Sequence, residues 1–419
     1  MFVENSFPQD TRVKNEADAL TAAGYAVTVV AMRKPAQRGA EDVDGITVYR
    51  IPRLELFKKT PCADPTLFQR VWLKAKAVLG YFSEYVYFTG ACLVMSVYVA
   101  CRHGFDVIHA HNPPDTLFLV ALPYKLLGKK YVFDHHDLCP ELYRSRYGAS
   151  HDLVARVLQL LECGNLKLAD RTIATNESYR QIQIERGGRT PQSIYVVRNG
   201  PNRRRMERAQ PSSRLREMGK TILCYVGSLN PQDGVDYLLR ALQHLLYDLK
   251  RNDFYCVIMG SGDSLEDLRE LATQYGLAGH VELTGFIPDQ ELQANLAAAD
   301  ICMDPDPSSP LNDVSTWIKI MEYMAFEKPI VSFDLKESRF SAQDAALFAP
   351  CNDELAFARA TARLMDDPGL RASMGRFGRE RVERELQWEV VSRNLLAAYQ
   401  SLGLRGHGRV AGAMAQEVH

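Results

Sequence analysis

The feature that most constrains the fold of this chain is the alternation of short β-branched segments with longer helical segments, which occurs twice along the sequence. Strands that alternate with helices form parallel sheets, because each crossover returns the chain to the same edge of the sheet. We therefore predict an α/β fold with two doubly wound, Rossmann-like domains. The strands are predicted at residues 25–30, 47–51, 107–109, 131–133, 171–174 and 193–197 in the first half, and at 222–227, 255–260, 280–283, 301–303 and 329–333 in the second.

A charged, turn-rich segment separates the two halves. Residues 198–213 begin with Arg-Asn-Gly-Pro-Asn and contain four further arginines, a composition typical of a connection between domains. A chain of 419 residues is also too long for one ordinary core. The predicted parts are a first domain at residues 1–200, a linker at 201–218, a second domain at 219–384, a C-terminal helix at 385–402 and a disordered tail at 403–419.

Composition argues against several classes of function. The 50 Lys and Arg residues are balanced by 51 Asp and Glu residues, so the chain lacks the basic field that general nucleic-acid binding requires. Its nine cysteines include no Cys-x-x-Cys pair and no Cys/His cluster, which favours free thiols in a reducing cytosol. Because no signal-peptide pattern follows Met1, we expect a cytoplasmic protein with no nucleic-acid partner.

The segment at residues 81–101 is unusually apolar and aromatic. It is flanked by Trp72, Lys74, Lys76 and Arg102 and contains one glutamate, two serines and one threonine, so it lacks the unbroken run of about 20 apolar residues that spans a bilayer. A buried helix is the preferred interpretation. The alternative is a helix in the membrane interface, which would make the protein peripheral to the inner surface of the membrane.

The motif with the most chemical content begins at Ser315-Thr316 and includes Lys319 and Glu322. Ser315, Lys319 and Glu322 recur at near-helical spacing, so they can face the same space. Hydroxyls and free N–H groups at a helix start, one turn before a lysine, suit a diphosphate. A carboxylate one turn further along can accept two hydrogen bonds from a ribose diol. The structural alternative is an N-capping hydroxyl followed by a solvated Lys–Glu ion pair.

This motif resembles the donor-binding helix of family-4 glycosyltransferases, especially members that build bacterial surface polysaccharides. The segments 105–111, 197–200, 260–262 and 285–288 also match the family in order and spacing, and the resemblance covers nearly the whole chain. It implies the GT-B architecture and a C-terminal helix that returns to the first domain. It further implies a nucleotide-sugar donor, a retaining mechanism with no metal or other cofactor, and a glycan or lipid-linked acceptor in surface polysaccharide assembly.

The resemblance also assigns roles to single residues. Glu322 matches the glutamate that holds the donor ribose, and Ile287 matches the position where similar enzymes hold the nucleobase by main-chain atoms. His136 matches the histidine that reaches the transferred sugar, where a neutral imidazole can donate a hydrogen bond; its structural alternative is a loop histidine that caps the next helix. Glu141 can meet the acceptor or face solvent. The catalytic prediction comprises His136, Lys319 and Glu322, the donor-binding prediction comprises Arg198, Gly227, Ser228, Asn230, Gly260, Ile287, Ser315, Thr316, Lys319 and Glu322, and the acceptor-side prediction comprises His111 and Glu141.

The chain departs from the family pattern in two places. Typical members carry a second glutamate eight positions before the ribose-binding one, where this chain has Val314. Typical members also carry Arg and Lys after the first strand of the second domain, whereas residues 227–234 contain neither. We expect Lys319 to compensate for the missing cations, and Ser228 and Asn230 to bind phosphate through neutral hydrogen bonds.

Two patterns suggest metal sites that we do not favour. Asp304-Pro305-Asp306 matches the acidic pair that holds a metal in the other large glycosyltransferase fold, but as a short motif without the structural context it needs. His109 and His111 stand at the end of a strand, where we expect them to face opposite sides of the sheet and not to share one ion. The sequence therefore predicts no metal site.

Two rival functions share the predicted fold. A UDP-N-acetylglucosamine epimerase of GT-B fold would need further carboxylates and histidines around the sugar. A catalytically degenerate protein, which binds a nucleotide sugar or a partner transferase without turnover, is suggested by Val314 and the missing cations. Incubation with UDP-sugars distinguishes these alternatives by the product formed.

Overall fold

The computed structural model describes residues 1–54, 67–147, 152–201 and 209–404. Contacts between these residues divide the chain into two compact units. The first unit contains residues 1–54, 67–140, 152–197 and 392–404, and the second contains residues 141–147, 198–201 and 209–391. The boundary at residue 197 lies three residues before the predicted one. Most of the predicted tail, and residues 202–208 of the predicted linker, lie outside the described residues.

The first unit is built on an eight-stranded sheet. Its strands are β1 (Phe2–Val3), β2 (Thr28–Met32), β3 (Ala40–Val43), β4 (Ile46–Ile51), β5 (Val107–His111), β6 (Lys130–His135), β7 (Arg171–Ala174) and β8 (Ile194–Val196). Their order in the sheet is β3-β4-β2-β1-β5-β6-β7-β8, and only the β3–β4 pair is antiparallel. The chain starts at β1 in the middle and winds outwards in both directions, so the topological switch point lies between β1 and β5.

Helices connect these strands. Asp10 caps the first helix by accepting a hydrogen bond from the N–H of Val13 at 3.0 Å, and Gly24, whose φ is +88°, follows its end. The predicted stop of this helix at Gly24 is confirmed. The helices are α1 (Thr11–Ala22), α2 (Leu67–Arg102), α3 (Phe118–Leu126), α4 (Cys139–Tyr147), α5 (Asp152–Leu168) and α6 (Glu177–Gly187).

The second unit is built on a six-stranded, fully parallel sheet in the order β11-β10-β9-β12-β13-β14. Its strands are β9 (Thr221–Val226), β10 (Phe254–Met259), β11 (Val281–Gly285), β12 (Ile301–Asp304), β13 (Ile330–Phe333) and β14 (Ala346–Ala349). The helices from here to the C-terminus are α7 (Ser213–Arg216), α8 (Val235–Tyr247), α9 (Leu265–Gln274), α10 (Asp289–Ala298), α11 (Ile318–Ala325), α12 (Lys336–Ala342), α13 (Glu354–Asp366), α14 (Pro368–Arg381) and α15 (Trp388–Gln400), with a π-helical turn at Val382–Leu386. This order puts the switch point between β9 and β12.

Tyr323 bridges the two strands at this switch point through its hydroxyl group. The ladder between β9 and β12 pairs Ile301 with Leu223 and Cys302 with Cys224. Beyond that pair, the buried hydroxyl of Tyr323 accepts a hydrogen bond from the N–H of Val226 at 2.8 Å and donates to the carbonyl of Met303 at 3.3 Å. The side chain therefore satisfies backbone groups where the strands diverge.

Part of the predicted linker belongs to the second unit. Helix α7 lies within residues 201–218, and its Leu215 is buried in the same core cluster as Ile222 and Leu296. The N–H of Ser212 also donates to the carbonyl of Ala294 at 3.0 Å. The turn formers that suggested a linker therefore mark only the start of this region.

Helix α2 is neither fully buried nor fully exposed. Phe88, Cys92 and Val99 are buried in the core of the first unit, whereas Val94 on the other face is 69% exposed. Among the described residues, Phe82–Arg102 is the one helical segment long and apolar enough to cross a membrane, and 28% of it is buried. The side chains of Trp72, Lys74, Lys76 and Tyr81 lie outside the described residues.

Candidate functional site

Closely packed glycine loops follow β9 and β10 at the carboxyl edge of the second sheet. The N–H of Gly227 donates to the carbonyl of Met259 at 3.1 Å, and the N–H of Leu229 donates to that of Ser261 at 3.2 Å. A Cβ atom on Gly260, whose φ is +145°, would lie 1.7 Å from the carbonyl oxygen of Gly227. Only glycine fits there, because backbone lies against backbone.

Asn230 makes hydrogen bonds that stabilise the loop after β9. Its side-chain oxygen accepts a hydrogen bond from the N–H of Asp263 at 3.2 Å, and its own N–H donates to Asp233 at 2.9 Å. Ser228 is exposed, and its carbonyl accepts a hydrogen bond from the hydroxyl of Tyr225 at 2.9 Å. The prediction that these two side chains bind phosphate therefore fits Ser228 better than Asn230.

Ser315 and Thr316 lie before helix α11 and not within it. The helix begins at Ile318, after Trp317 as its N-cap, because Asn312–Val314 forms a separate 3-10 turn that ends at Ser315. The hydroxyl of Ser315 donates to the carbonyl of Leu311 at 2.8 Å. The prediction that Ser315 shares one helical face with Lys319 and Glu322 was therefore wrong, although Lys319 and Glu322 do lie on α11.

Lys319 forms a buried ion-pair cluster with the two aspartates at the end of β12. Its Nζ lies 3.3 Å from Oδ1 of Asp304 and pairs closely with Asp306. It also lies 5.1 Å from the ring centroid of Tyr225. Asp304 in turn accepts a hydrogen bond from the hydroxyl of Ser332 at 2.7 Å. The acidic pair that resembled a metal site therefore already holds a side-chain cation.

The charges in this cluster are closely balanced. Burial alone would lower the pKa of Lys319, but Asp306 and Asp304 outweigh it and raise that pKa well above its usual value. Burial works against ionisation of Asp304, yet the ammonium of Lys319 holds the pKa of Asp304 below its usual value. Burial raises the pKa of Asp306 well above its usual value. Lys319 is thus protonated, but its charge is compensated.

Arg198 is also compensated. Its buried guanidinium lies 3.4 Å from Glu337 and 3.5 Å from the hydroxyl of Thr316, and its central carbon stands 4.1 Å from the ring centroid of Phe340. The hydroxyl of Thr316 donates to the same carboxylate at 3.3 Å. The two cations predicted to meet a diphosphate are therefore each held by carboxylates in this structure. Glu322 and Ile287 are half-buried.

A second polar cluster lies at the carboxyl edge of the first sheet. The guanidinium of Arg12, on α1, contacts both carboxylate oxygens of Asp134 at 2.8 and 3.0 Å and Oε1 of Glu16 at 3.1 Å. Nε2 of His136 lies 2.7 Å from Oδ2 of Asp134, and Nδ1 of His111 lies 3.2 Å from the same oxygen. One carboxylate oxygen thus meets three nitrogen atoms.

The expectation that His109 and His111 face opposite sides of the sheet was wrong. Residues two apart in a strand point to the same face, and the two imidazole rings stack with their centroids 4.2 Å apart. Nδ1 of His109 contacts the hydroxyl of Tyr399, on α15, at 2.9 Å. The side chain of His111 is buried against Asp134 and His136. It is therefore not exposed to make the predicted contact with an acceptor.

Burial decides the protonation states in this cluster. It lowers the pKa of His111 to about 4, and together with His111 it lowers that of His109 well below the usual value. Burial and the nearby Asp134 raise the pKa of Glu16 well above its usual value. Burial also disfavours a charged Asp134, but Arg12 and His136 hold the pKa of Asp134 well below its usual value. The cluster thus contains one ion pair in which both partners are charged, between Arg12 and Asp134.

The same cluster offers a set of possible metal ligands. One atom from each of Glu16, His111, Asp134 and His136 lies within 4.8 Å of the others. However, Nε of Arg12 lies 3.0 Å from Asp134 and 2.9 Å from Nε2 of His136. A guanidinium among these groups already supplies the positive charge, so the arrangement fits a side-chain ion pair better than a metal.

Sequence reasoning missed Arg12, Glu16 and Asp134, and it placed Asn112 only in a segment that lines the cleft near the acceptor. Asn112 positions the backbone of His136, because its side-chain oxygen accepts the N–H of that residue at 2.6 Å. The available signal was Asp134 itself, a carboxylate at the end of the apolar strand run 131–133. Glu141 is buried on α4 and groups with the second unit, so its predicted role towards the acceptor stays a prediction.

Two doubly wound sheets in one chain, with polar clusters and glycine loops at their carboxyl edges, fit the class of glycosyltransferases with the GT-B fold. The chain belongs to the family-4 glycosyltransferases. The "Glycosyl transferase 4-like domain" model matches residues 9–200, and the "Glycosyl transferases group 1" model matches residues 206–381.

Individual relatives agree with this assignment. The chain is 28% identical over 306 residues to a phosphatidyl-myo-inositol mannosyltransferase of Mycobacterium leprae, covering 72% of this chain and 75% of that protein. Sucrose-phosphate synthase of Thermosynechococcus elongatus has a similar fold, with a TM-score of 0.72, 20% identity and coverage of 95% and 94% of the two chains. HepE of Anabaena, solved in complex with UDP, has a TM-score of 0.69, 15% identity and coverage of 96% and 99%.

Proposed function

We propose that this glycosyltransferase moves a sugar, with retention of configuration, from a nucleotide-sugar donor to a glycan or lipid-linked acceptor during surface polysaccharide assembly in the cytoplasm. The observation that carries the donor site is at the carboxyl edge of the second sheet, where Lys319 on α11 lies 5.1 Å from the ring centroid of Tyr225. Tyr225 in turn packs against Gly227 in the glycine loop after β9, and Glu322 lies three residues after Lys319 on the same helix. UDP is the first choice of nucleotide, supported by the UDP complex of HepE. The lipid-linked acceptor is supported by the named activity of the mannosyltransferase relative.

The proposed chemistry requires no protein nucleophile. Transfer breaks the bond between the anomeric carbon and the diphosphate, so the site must stabilise a departing anion. In the retaining mechanism that the family resemblance implies, a donor phosphate oxygen receives the acceptor proton on the same face. Glu322 then holds the ribose, main-chain atoms at Ile287 hold the base, and the ammonium of Lys319 turns partly from its aspartates towards the diphosphate.

Incubation of the purified protein with UDP-sugars tests the proposed function. Sugar transfer to a glycan or lipid acceptor is the expected result, and an epimerised sugar nucleotide would contradict it. Binding without any product would indicate a degenerate protein. A thermal-shift panel of nucleotide sugars identifies the donor beforehand, because a ligand at about 100 times its dissociation constant adds roughly 2.7 kcal/mol of stability.

Transfer is expected to persist in excess EDTA. Both carboxylate clusters hold a side-chain cation, Lys319 between Asp304 and Asp306, and Arg12 beside Asp134, so neither needs a metal to balance its charge. The measurement is the initial rate with and without EDTA, with manganese or magnesium added back as the control. Loss of activity that either ion restores would contradict the metal-independent mechanism.

We also propose that the first unit lies against the inner membrane surface through α2, α3 and α5. The face of α2 away from the core exposes Phe82, Val86, Val94 and Val97 at helical spacing. Helix α3 packs against both α2 and α5, and exposed basic residues stand on these helices at Arg102, Arg156 and Lys167. Apolar area beside positive charge suits an anionic lipid surface. The further exposed apolar residues are Leu119, Leu122 and Leu126 on α3 and Leu153, Val157 and Leu160 on α5.

The protein is expected to float with anionic liposomes and to be partly released by high salt. Replacing Phe82, Val94 and Val97 by serine should abolish flotation without lowering the melting temperature, because these side chains are exposed. Tyr247→Ser, at an exposed aromatic of the second unit, is the matched control and should float normally. Phe88 is not a suitable target since it is 1% exposed. A wild-type protein that ignores anionic liposomes would contradict the membrane proposal.

A further inference from the structure

The Arg12–Asp134–His136 contacts restrict which nitrogen of the His136 ring carries the proton. His136 is 16% exposed at its side chain, so it stands at the rim of the buried cluster. Within the described part of the chain, every hydrogen bond and ion pair of its ring runs through Nε2. These contacts join Nε2 to Asp134 at 2.7 Å, to Arg12 at 2.9 Å and to His111 at 3.1 Å.

Asp134 selects the tautomer among these contacts. An ionised carboxylate only accepts hydrogen bonds, so at 2.7 Å from Nε2 it favours a proton on that nitrogen. Without that proton, the lone pairs of Nε2 and Oδ2 would face each other. The single Nε–H of Arg12 lies within reach of both Nε2 of His136, at 2.9 Å, and Asp134, at 3.0 Å. Once Nε2 carries a proton it has no lone pair to accept this N–H, so Arg12 donates to Asp134 alone. Nδ1 of His136 is left with its lone pair.

We propose that Asp134, itself held by the bidentate guanidinium of Arg12, is a positioning residue that fixes His136 as the Nε2–H tautomer, so that Nδ1 accepts a hydrogen bond from a substrate hydroxyl. This inference rests on the proposed function for the identity of the substrate as a sugar. It reverses the role expected from the sequence, in which the neutral imidazole donates.

Nitrogen-15 NMR of the histidine-labelled protein tests the tautomer directly. With the His136 signals identified by their loss in His136→Gln, two-bond proton–nitrogen correlations should show the proton on Nε2. In Asp134→Asn, a side-chain amide can donate to Nε2, so the proton should move to Nδ1. A wild-type proton on Nδ1, or an unchanged tautomer in a folded Asp134→Asn protein, would overturn the proposal.

Kinetics test the consequence for transfer. Asp134→Asn should lower kcat/KM about 10- to 100-fold, the scale of one strong hydrogen bond, and should lower it no further in a His136→Ala background. An equal loss in both backgrounds would mean that Asp134 acts independently of His136. Glu16→Gln is the matched control, because it changes a second carboxyl group beside Arg12 that makes no hydrogen bond to His136, and it should leave the tautomer unchanged.

The two hypotheses fail separately. The tautomer is read without substrate, so a wild-type protein that transfers no sugar would refute the proposed function while the NMR result still decides the role of Asp134. If Asp134→Asn does not fold, Arg12→Lys provides the second variant. It keeps the charge but loses the bidentate contact with Asp134, and it should populate both tautomers of His136. A single, unchanged tautomer in Arg12→Lys would overturn the role of Arg12.

Discussion

Replacing Lys319 by alanine is expected to destabilise the protein by about 3–5 kcal/mol and to lower turnover about 100-fold. The stability loss follows because removal of one partner leaves buried Asp304 and Asp306 without their cation. The turnover loss follows if the ammonium stabilises the departing diphosphate, where one electrostatic contact contributes about 100-fold. Denaturant unfolding and the catalytic constant, measured on the same preparation, give the two quantities.

A second substitution separates these two effects. Adding Asp304→Asn to Lys319→Ala removes the carboxylate that Lys319 keeps ionised, so it should restore part of the stability while turnover stays low. Recovery of turnover together with stability would show that Lys319 only holds the loop after β12. Lys328→Ala is the matched control, because that lysine donates to the backbone carbonyls of Ala297 and Ala299 rather than to carboxylates.

The Glu322→Gln variant is expected to bind the donor more weakly by about 1.5–3 kcal/mol, which corresponds to roughly 10- to 100-fold in the dissociation constant. A neutral amide replaces a charged acceptor of the ribose hydroxyls, while the half-buried position on α11 tolerates a side chain of the same shape. Calorimetric titration with the nucleotide diphosphate, together with a melting curve, measures affinity and folding independently.

Glu270→Gln is the matched control for this substitution. Glu270 lies exposed on α9 of the same unit, so the same chemical change there should leave donor affinity intact. A Glu322→Gln protein whose affinity stays within twofold of wild type would exclude the ribose contact. An equal loss of donor affinity in both variants would mean that removing any negative charge from the second unit weakens donor binding.

The strand and helix pattern was predictable because it depends on local periodicity. β-branched runs, the helix stop at Gly24 and the turn formers near Gly200 each act within a few residues. The start of α11 was not predictable in this way. The spacing of Ser315, Lys319 and Glu322 is compatible with a helix, but it does not show whether Ser315 itself is already helical. Ser315 ends the preceding 3-10 turn instead.

The charge clusters could not be predicted because they depend on which strand ends meet. Lys319 meets Asp304 and Asp306 only because β12 and α11 come together beside the switch point of the second sheet. Arg12 and Asp134 are 122 positions apart, and no short motif joins them. The sequence around Lys319 and around Arg12 does not reveal that each positive charge is already balanced by a buried aspartate. A cation that is balanced in this way must give up part of that ion pair before it can bind an anionic ligand.

The hydrogen bonds of the Tyr323 hydroxyl affect how the effects of mutations in α11 are interpreted. Its hydroxyl ties α11 to Val226 and Met303 in two adjacent strands, so the helix cannot rotate about its axis without breaking buried hydrogen bonds. These hydrogen bonds therefore also fix the directions in which Lys319 and Glu322 project from α11. Successive helical residues are rotated by about 100°, so fixing Tyr323 fixes the orientation of every other residue on the helix. In an activity screen, loss of the Tyr323 hydroxyl would therefore imitate loss of a substrate contact, although the tyrosine itself is fully buried.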